Sequence, residues 1–173
     1  MADRKNVSSA RPMLYTAEER RRRDATVWTL VQGLLAPFQF VVFLVSLWLV
    51  LRCLLTGDGA TAAAASIVVK TLTLYAIMIT GSIWEKEVFG KYLFARPFFW
   101  EDVVSMLVLA LHTAYLATLF LDLLDTRGQL LLALAAYASY VVNAGQFLLK
   151  LRSARLESPQ APSGNPAAMG AAS

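Results

Sequence analysis

The chain has 173 residues, 57% hydrophobic and 16% charged, with a formal net charge of +4. Ordinary soluble domains carry about 25% charged residues, so this composition, with a mean hydropathy of +0.53, points to a membrane protein. Cys53 is the single cysteine, which excludes an internal disulfide and a multi-cysteine metal site.

Residues 1–26 read as a polar, basic arm without an apolar signal-peptide core. Within it Thr16 and Glu19 have the spacing of a capping box, which predicts a short helix carrying Arg20, Arg21, Arg22 and Arg23 to the lipid headgroups. Four apolar stretches follow: Trp28 to Leu51, Ala60 to Ile83, Val103 to Leu124 and Gln129 to Leu149. Each is close to the roughly 20 residues that cross a bilayer as a helix. No alternation of period two suggests a barrel. The connections Arg52 to Gly59 and Asp125 to Gly128 are short, so sequential helices are antiparallel neighbours. The expected fold is all-α: a polytopic membrane protein of four transmembrane helices in an up-down-up-down bundle. Its domain spans residues 27–156, and a Pro/Ala/Ser/Gly-rich tail, 157–173, is expected to be disordered.

Lysines and arginines crowd before the first span, between the second and third, and after the fourth. The positive-inside rule then puts both termini and the central loop in the cytoplasm, for a multi-pass protein of a bacterial inner membrane. This placement also explains the net charge without nucleic acid.

Each span carries one polar stripe. Gln32, Gln39 and Ser46 line the first; Ser66, Lys70, Thr73, Thr80 and Trp84 the second. Glu101, Ser105 and His112 line the third; Tyr140, Asn143, Gln146 and Lys150 the fourth, with Tyr137 above them. Ser, Thr, Asn and Gln often only join neighbouring helices. Lys70 is different: a charge at mid-span costs at least about 2.5 kcal/mol unless it is paired, neutral or snorkelling. His112, the only histidine, is able to ligate a metal already held in a substrate, shuttle a proton, or satisfy a neighbour.

The segment Trp84–Asp102 joins spans two and three. Its 19 positions hold four acids, three bases and seven aromatic residues. An acid enclosed by aromatic rings stays protonated and serves as a general acid. Glu85 and Glu101 suit this best, since each adjoins a tryptophan and continues a stripe. Helix capping, or pairing with Lys86, Lys91 or Arg96, is the bland alternative for Glu85, Glu87, Glu101 and Asp102.

Several segments resemble the 3-vinyl bacteriochlorophyllide (chlorophyllide) hydratase family of bacteriochlorophyll biosynthesis. They are Ala25 to Gln39, Ser66 to Leu72, Gly81-Ser-Ile-Trp-Glu-Lys-Glu-Val-Phe-Gly90, Phe98-Phe-Trp-Glu-Asp-Val103, Leu111 to Tyr115 and Asn143-Ala-Gly-Gln-Phe147. The resemblance runs from about Tyr15 to Leu156. It implies a hydro-lyase that adds water to a C3-vinyl group to give a 1-hydroxyethyl group, with no redox cofactor and no protein-bound metal. The implied partners are the pigment substrate, water, membrane lipid and other pigment-biosynthesis enzymes.

Under that resemblance Glu85 or Glu101 is the acid, and Asp102 or the other glutamate orients water. Trp84, Phe94, Phe98, Phe99 and Trp100 stack on the macrocycle, His112 ligates its magnesium, and Lys91 or Arg96 holds its propionate. Lys70, Asn143 and Gln146 complete the binding surface. The rival readings are a non-enzymatic tetrapyrrole-binding or assembly protein and a small transporter with Lys70 on its ion path.

Overall fold

The computed structural model describes residues 14–156; the tail expected over 157–173 lies outside them. Five α-helices form: α1 Ala17–Ala25, α2 Val27–Thr56, α3 Ala60–Phe89, α4 Phe99–Phe120 and α5 Thr126–Leu156, with a 3-10 turn at Arg96–Phe98 before α4. The last four are long and apolar enough to cross a membrane. Among the described residues there is no strand. The all-α, four-span expectation stands.

Helix α1 starts as the capping box requires. The Thr16 hydroxyl accepts from Glu19 N at 3.2 Å, and Glu19 Oε2 accepts from Thr16 N at 2.7 Å. Thr26 then caps α2 by accepting from Trp28 N. Pro37 sits inside α2, where neighbouring helices and local adjustments compensate the missing donor. Gly57 and Gly90 end α2 and α3 at φ values of 79°, a left-handed conformation that glycine adopts without Cβ strain.

Helix α4 begins four residues before the expected start of span three, because the aromatic residues and acids of Phe99–Asp102 form its first turn. Two acids at a helix N-terminus complement the dipole. It ends at Phe120, and the chain reverses through Asp122 at φ 49°. Leu121, Leu123 and Leu124 are therefore exposed connection rather than helix. Hydropathy counts them into the span because they are apolar. Helix α5 starts earlier than expected, at Thr126, with the Asp125 side chain accepting from Gly128 N at 2.9 Å.

Residue pairs fix the helix directions. Thr29–Trp84, Gln32–Thr80 and Ser46–Ser66 rise along α2 and fall along α3. Glu101–Lys150 and Ser105–Asn143 do the same for α4 and α5. The protein is thus two antiparallel hairpins, α2/α3 and α4/α5. They meet where Ser46 bonds Tyr137 and where the Tyr75 hydroxyl lies 2.8 Å from that of Thr113.

Between the hairpins lies a core of Phe43, Val50, Ile67, Leu74, Val108, Tyr115 and Tyr137. Leu34, Val41, Trp48 and Leu55 face outward, as a lipid-exposed surface requires. Lipid is as apolar as these side chains, so close packing and inter-helical hydrogen bonds hold the helices together rather than transfer from water. A second cluster, at the end that carries the Trp84–Asp102 segment, comprises Tyr15, Val88 and Phe98 with Trp84, Phe89 and Phe147 around them.

Candidate active site

Three carboxyl groups are buried at that end: Glu85 at 5% exposure, Glu101 at 7% and Asp102 at 3%. Glu101 and Asp102 are adjacent in sequence, so successive positions on α4 turn them about 100° apart. That rotation gives them different partners.

Glu101 faces α5. Its Oε2 accepts from Lys150 Nζ at 2.7 Å. Its backbone carbonyl accepts from Asn143 Nδ2 at 2.9 Å and from the Ser105 hydroxyl at 2.8 Å. Among the described residues the pairings weighed for Lys86, Lys91 and Arg96 do not form. Lys86 instead donates to Gly90 O.

Asp102 faces α3, where its carboxyl and that of Glu85 are close electrostatic neighbours. Two carboxylates side by side in a buried site repel, which favours a proton held on one of them. The loop after Gly90 closes over the pair. Asp102 Oδ2 accepts from Phe94 N at 2.7 Å, and Glu85 Oε2 accepts from Ala95 N at 3.2 Å. Phe94 adopts φ 59° to make its bond, a conformation that a bulky residue rarely takes and one often found at functional sites.

The aromatic residues divide into two groups. Trp84 and Phe98 are tertiary packing groups: their rings meet at 5.7 Å, and Phe98 stacks on Phe147 at 5.9 Å. The Trp84 indole N–H donates to Thr29 Oγ1 at 2.9 Å. Phe98, at 2% exposure, has the rings of Tyr15, Trp84 and Phe147 around it. Phe94, Phe99 and Trp100 are exposed and meet ring to ring at 5.8 and 5.4 Å. They form a ledge beside Asp102, with Lys91 and Arg96 exposed on the same loop.

His112 lies ten residues from Asp102, about 15 Å along α4. Its Nδ1 is 2.8 Å from Val108 O. A carbonyl only accepts, so Nδ1 carries a hydrogen, and in the neutral ring Nε2 presents a lone pair. Lys70 does not snorkel. It is fully buried, with Nζ 3.8 Å from the Tyr140 ring centroid, because its stripe faces the bundle interior. Asn143 is engaged by Glu101, and Gln146 Oε1 is buried without a partner among the described residues.

Three features escape the residue pattern: the two loop amides, the Lys150 partner of Glu101, and Tyr15. Tyr15 is 3% exposed, stacks on Phe89 at 5.8 Å and lies under Arg23. Burial pushes its hydroxyl above the usual tyrosine range, partly offset by Arg23. Its place within a polar arm, followed by a capping box, was the available signal for an anchor.

Residues 15–153 match the family model described as 2-vinyl bacteriochlorophyllide hydratase. The chain is 63% identical over 155 residues to the 2-vinyl bacteriochlorophyllide hydratase of Rhodobacter capsulatus, covering 90% of each chain. It is 66% identical over 145 residues to the protein of that name from Cereibacter sphaeroides, covering 83% of this chain and 89% of the relative. No solved structure matches.

Proposed function

The chain belongs to the 2-vinyl bacteriochlorophyllide hydratase family, and we propose that Glu85 and Asp102 are the acid and base with which it hydrates the vinyl group. The numbers 2 and 3 for the vinyl position are two ring-numbering conventions for one substituent. The reaction adds a proton and a hydroxide equivalent across one carbon–carbon double bond, so it is redox-neutral and the enzyme is a hydro-lyase of bacteriochlorophyll biosynthesis.

The buried juxtaposition of the Glu85 and Asp102 carboxyls, each held by an amide of the same loop, carries this assignment. One shared proton supplies an acid and a base side by side. Glu85 gives its proton to the terminal vinyl carbon. Positive charge develops on the adjacent carbon and spreads into the macrocycle. Water adds there, and Asp102 takes the proton that water loses. A fixed carboxylate beside that carbon also stabilises the developing cation in an enclosed site. Glu101 is a positioning group, since Lys150 occupies its carboxylate.

The macrocycle rests on the ledge of Phe94, Phe99 and Trp100, where aromatic faces favour stacking. Arg96 or Lys91 holds the propionate. The Phe94 and Ala95 amides occupy the carboxyl oxygens in the structure described, so the loop lifts as the vinyl group enters. The basic residues near both termini and in the loop support a cytoplasmic site in a bacterial inner membrane.

Membranes containing the protein, incubated with the vinyl pigment and water alone, test the proposal. A product heavier by one water is expected, lost in Glu85→Gln at equal protein level. Near-normal turnover by that variant defeats the acid assignment. Tags in the central loop that report a non-cytoplasmic location defeat the sidedness.

A further inference from the structure

Four buried polar atoms have no hydrogen-bond partner among the described residues: Gln39 Oε1, Lys70 Nζ, His112 Nε2 and Gln146 Oε1. They come one each from α2, α3, α4 and α5. Gln39, Lys70 and His112 retain 3%, 0% and 0% of their surface. An unsatisfied buried group of this kind costs about 1–3 kcal/mol. Four in one small bundle call for an occupant, and ordered water is the common one for buried polar groups.

The chemistry of the four atoms selects among occupants. Gln39 Oε1, Gln146 Oε1 and His112 Nε2 offer lone pairs and need donors. Lys70 Nζ has hydrogens to give and needs an acceptor. Lys70 and His112 are electrostatic neighbours. The Lys70 amino group lies over the Tyr140 ring, and the His112 ring is 5.9 Å from that of Tyr137. Tyr137 continues by hydrogen bonds to Ser46 and Ser66. Water meets both kinds of need, because each molecule donates and accepts. A pigment macrocycle offers carbonyl acceptors and a Lewis-acidic metal but no donor for the amide oxygens. Its dication on His112 Nε2 would also stand beside the Lys70 amino group. Phe43, Leu74, Tyr115 and Tyr137 fill the interior at this level, which suits small molecules rather than a flat ring.

We propose that Gln39, Lys70, His112 and Gln146 hold water at successive depths along the interior of the membrane span, and that this water supplies the molecule added to the vinyl group. The second half rests on the hydratase reading above. The path is short in sequence terms. Gln146 is one turn from both Asn143 and Lys150 on α5. Asn143 and Ser105 bond the Glu101 carbonyl, one residue from Asp102. Water drawn from inside the bundle reaches the carboxyl pair from the side opposite the loop. The macrocycle on its aromatic ledge therefore does not block it.

Pulsed radiolytic labelling in ¹⁸O water, with the protein in lipid nanodiscs and no pigment, tests the site without reading turnover. Radiolysis makes hydroxyl radicals from any water, and they react within a short distance, so a side chain sealed from bulk takes label only from water held beside it. Tyr137 and Tyr140, at 2% and 8% exposure, should take up ¹⁸O above the level on Phe98, also at 2%. Gln39→Leu and Lys70→Met should each lower that label several-fold while helicity and melting are retained. Either variant should also lower kcat about tenfold, the factor one lost hydrogen bond of ordinary strength produces, with KM for pigment unchanged.

Label on Tyr137 and Tyr140 no higher than on Phe98 overturns the site. Label lost with full turnover kept overturns its role as the water supply. A His112→Leu variant that labels normally but loses a five-coordinate magnesium signature of bound pigment assigns Nε2 to the pigment metal and overturns the proposal. Failure of the hydratase reading would instead leave the label intact and the vinyl pigment unconverted.

Discussion

The paired carboxyls make a prediction that a set of independent acids does not. Glu85→Gln keeps an oxygen for the Ala95 amide and puts an N–H beside Asp102, so the bond that ties Glu85 to the loop survives. Only the transferable proton is lost. Asp102→Asn likewise keeps an oxygen for the Phe94 amide. Positioned proton transfer is worth about 10² to 10⁴ in rate. At 1.36 kcal/mol per tenfold, that is about 3 to 5 kcal/mol of barrier. Each single variant should lose that much kcat. The double variant should lose little more than the worse single one, because groups that act as a unit are strongly non-additive. The assay is initial-rate conversion of vinyl to hydroxyethyl pigment in membranes, separated by chromatography and normalised to folded protein. Losses that multiply in the double variant would refute the paired mechanism, since two independent groups behave that way. Retained activity in Asp102→Asn would refute the base assignment alone.

Lys150→Met removes the partner of Glu101, whose side chain is 10% exposed while that of Lys150 is 25% exposed. Partial solvation discounts the cost of breaking the pair to about 1–2 kcal/mol, visible as a lower melting temperature in detergent. Turnover per folded molecule should stay within a few-fold, in contrast to Glu85→Gln. Tyr15→Ala deletes a stacked ring from the second cluster and should destabilise by about 3 kcal/mol, as buried aromatic truncations do; an unchanged melt would mean that the arm is not an anchor. Phe94→Gly removes the left-handed strain of a bulky residue, worth about 1 kcal/mol, and one ring of the ledge. Melting should hold or rise while KM for pigment increases; a fall in stability with KM unchanged would take Phe94 out of substrate binding.

The four spans were legible because bilayer thickness imposes a length on apolar runs that no packing detail overrides. The inward direction of the polar stripes was also legible: Gln32 meets Thr80, Ser46 meets Ser66, and Ser105 meets Asn143. Helix ends were less so. Leu121, Leu123 and Leu124 carry span-like hydropathy, yet α4 ends at Phe120 and the chain turns at Asp122 among them. Choosing among the acids was beyond the one-dimensional pattern. Glu101 and Asp102 look equivalent beside Trp100, and only the approach of α5 on one side and α3 on the other gives one a lysine and the other a carboxyl. Phe98 and Phe99 show the same limit, since one rotation step sends the first into the interior and the second to the ledge.

Glu85 and Asp102 belong to different hairpins. Glu85 sits on α3, packed with α2, and Asp102 on α4, packed with α5. Each hairpin closes on its own through short connections, and neither contains the pair. The carboxyls meet only when the two hairpins dock, and the segment that joins them supplies both amides that hold the pair in register. The joining loop thus sets the spacing of acid and base as well as linking the helices. Lengthening it by one residue between Gly90 and Phe94 would leave both hairpins intact. The Phe94 and Ala95 amides would shift relative to oxygens fixed on α4 and α3. A displacement of about 1 Å at a reacting group is enough to cost 10² in rate, so such an insertion should abolish most turnover with little change in melting.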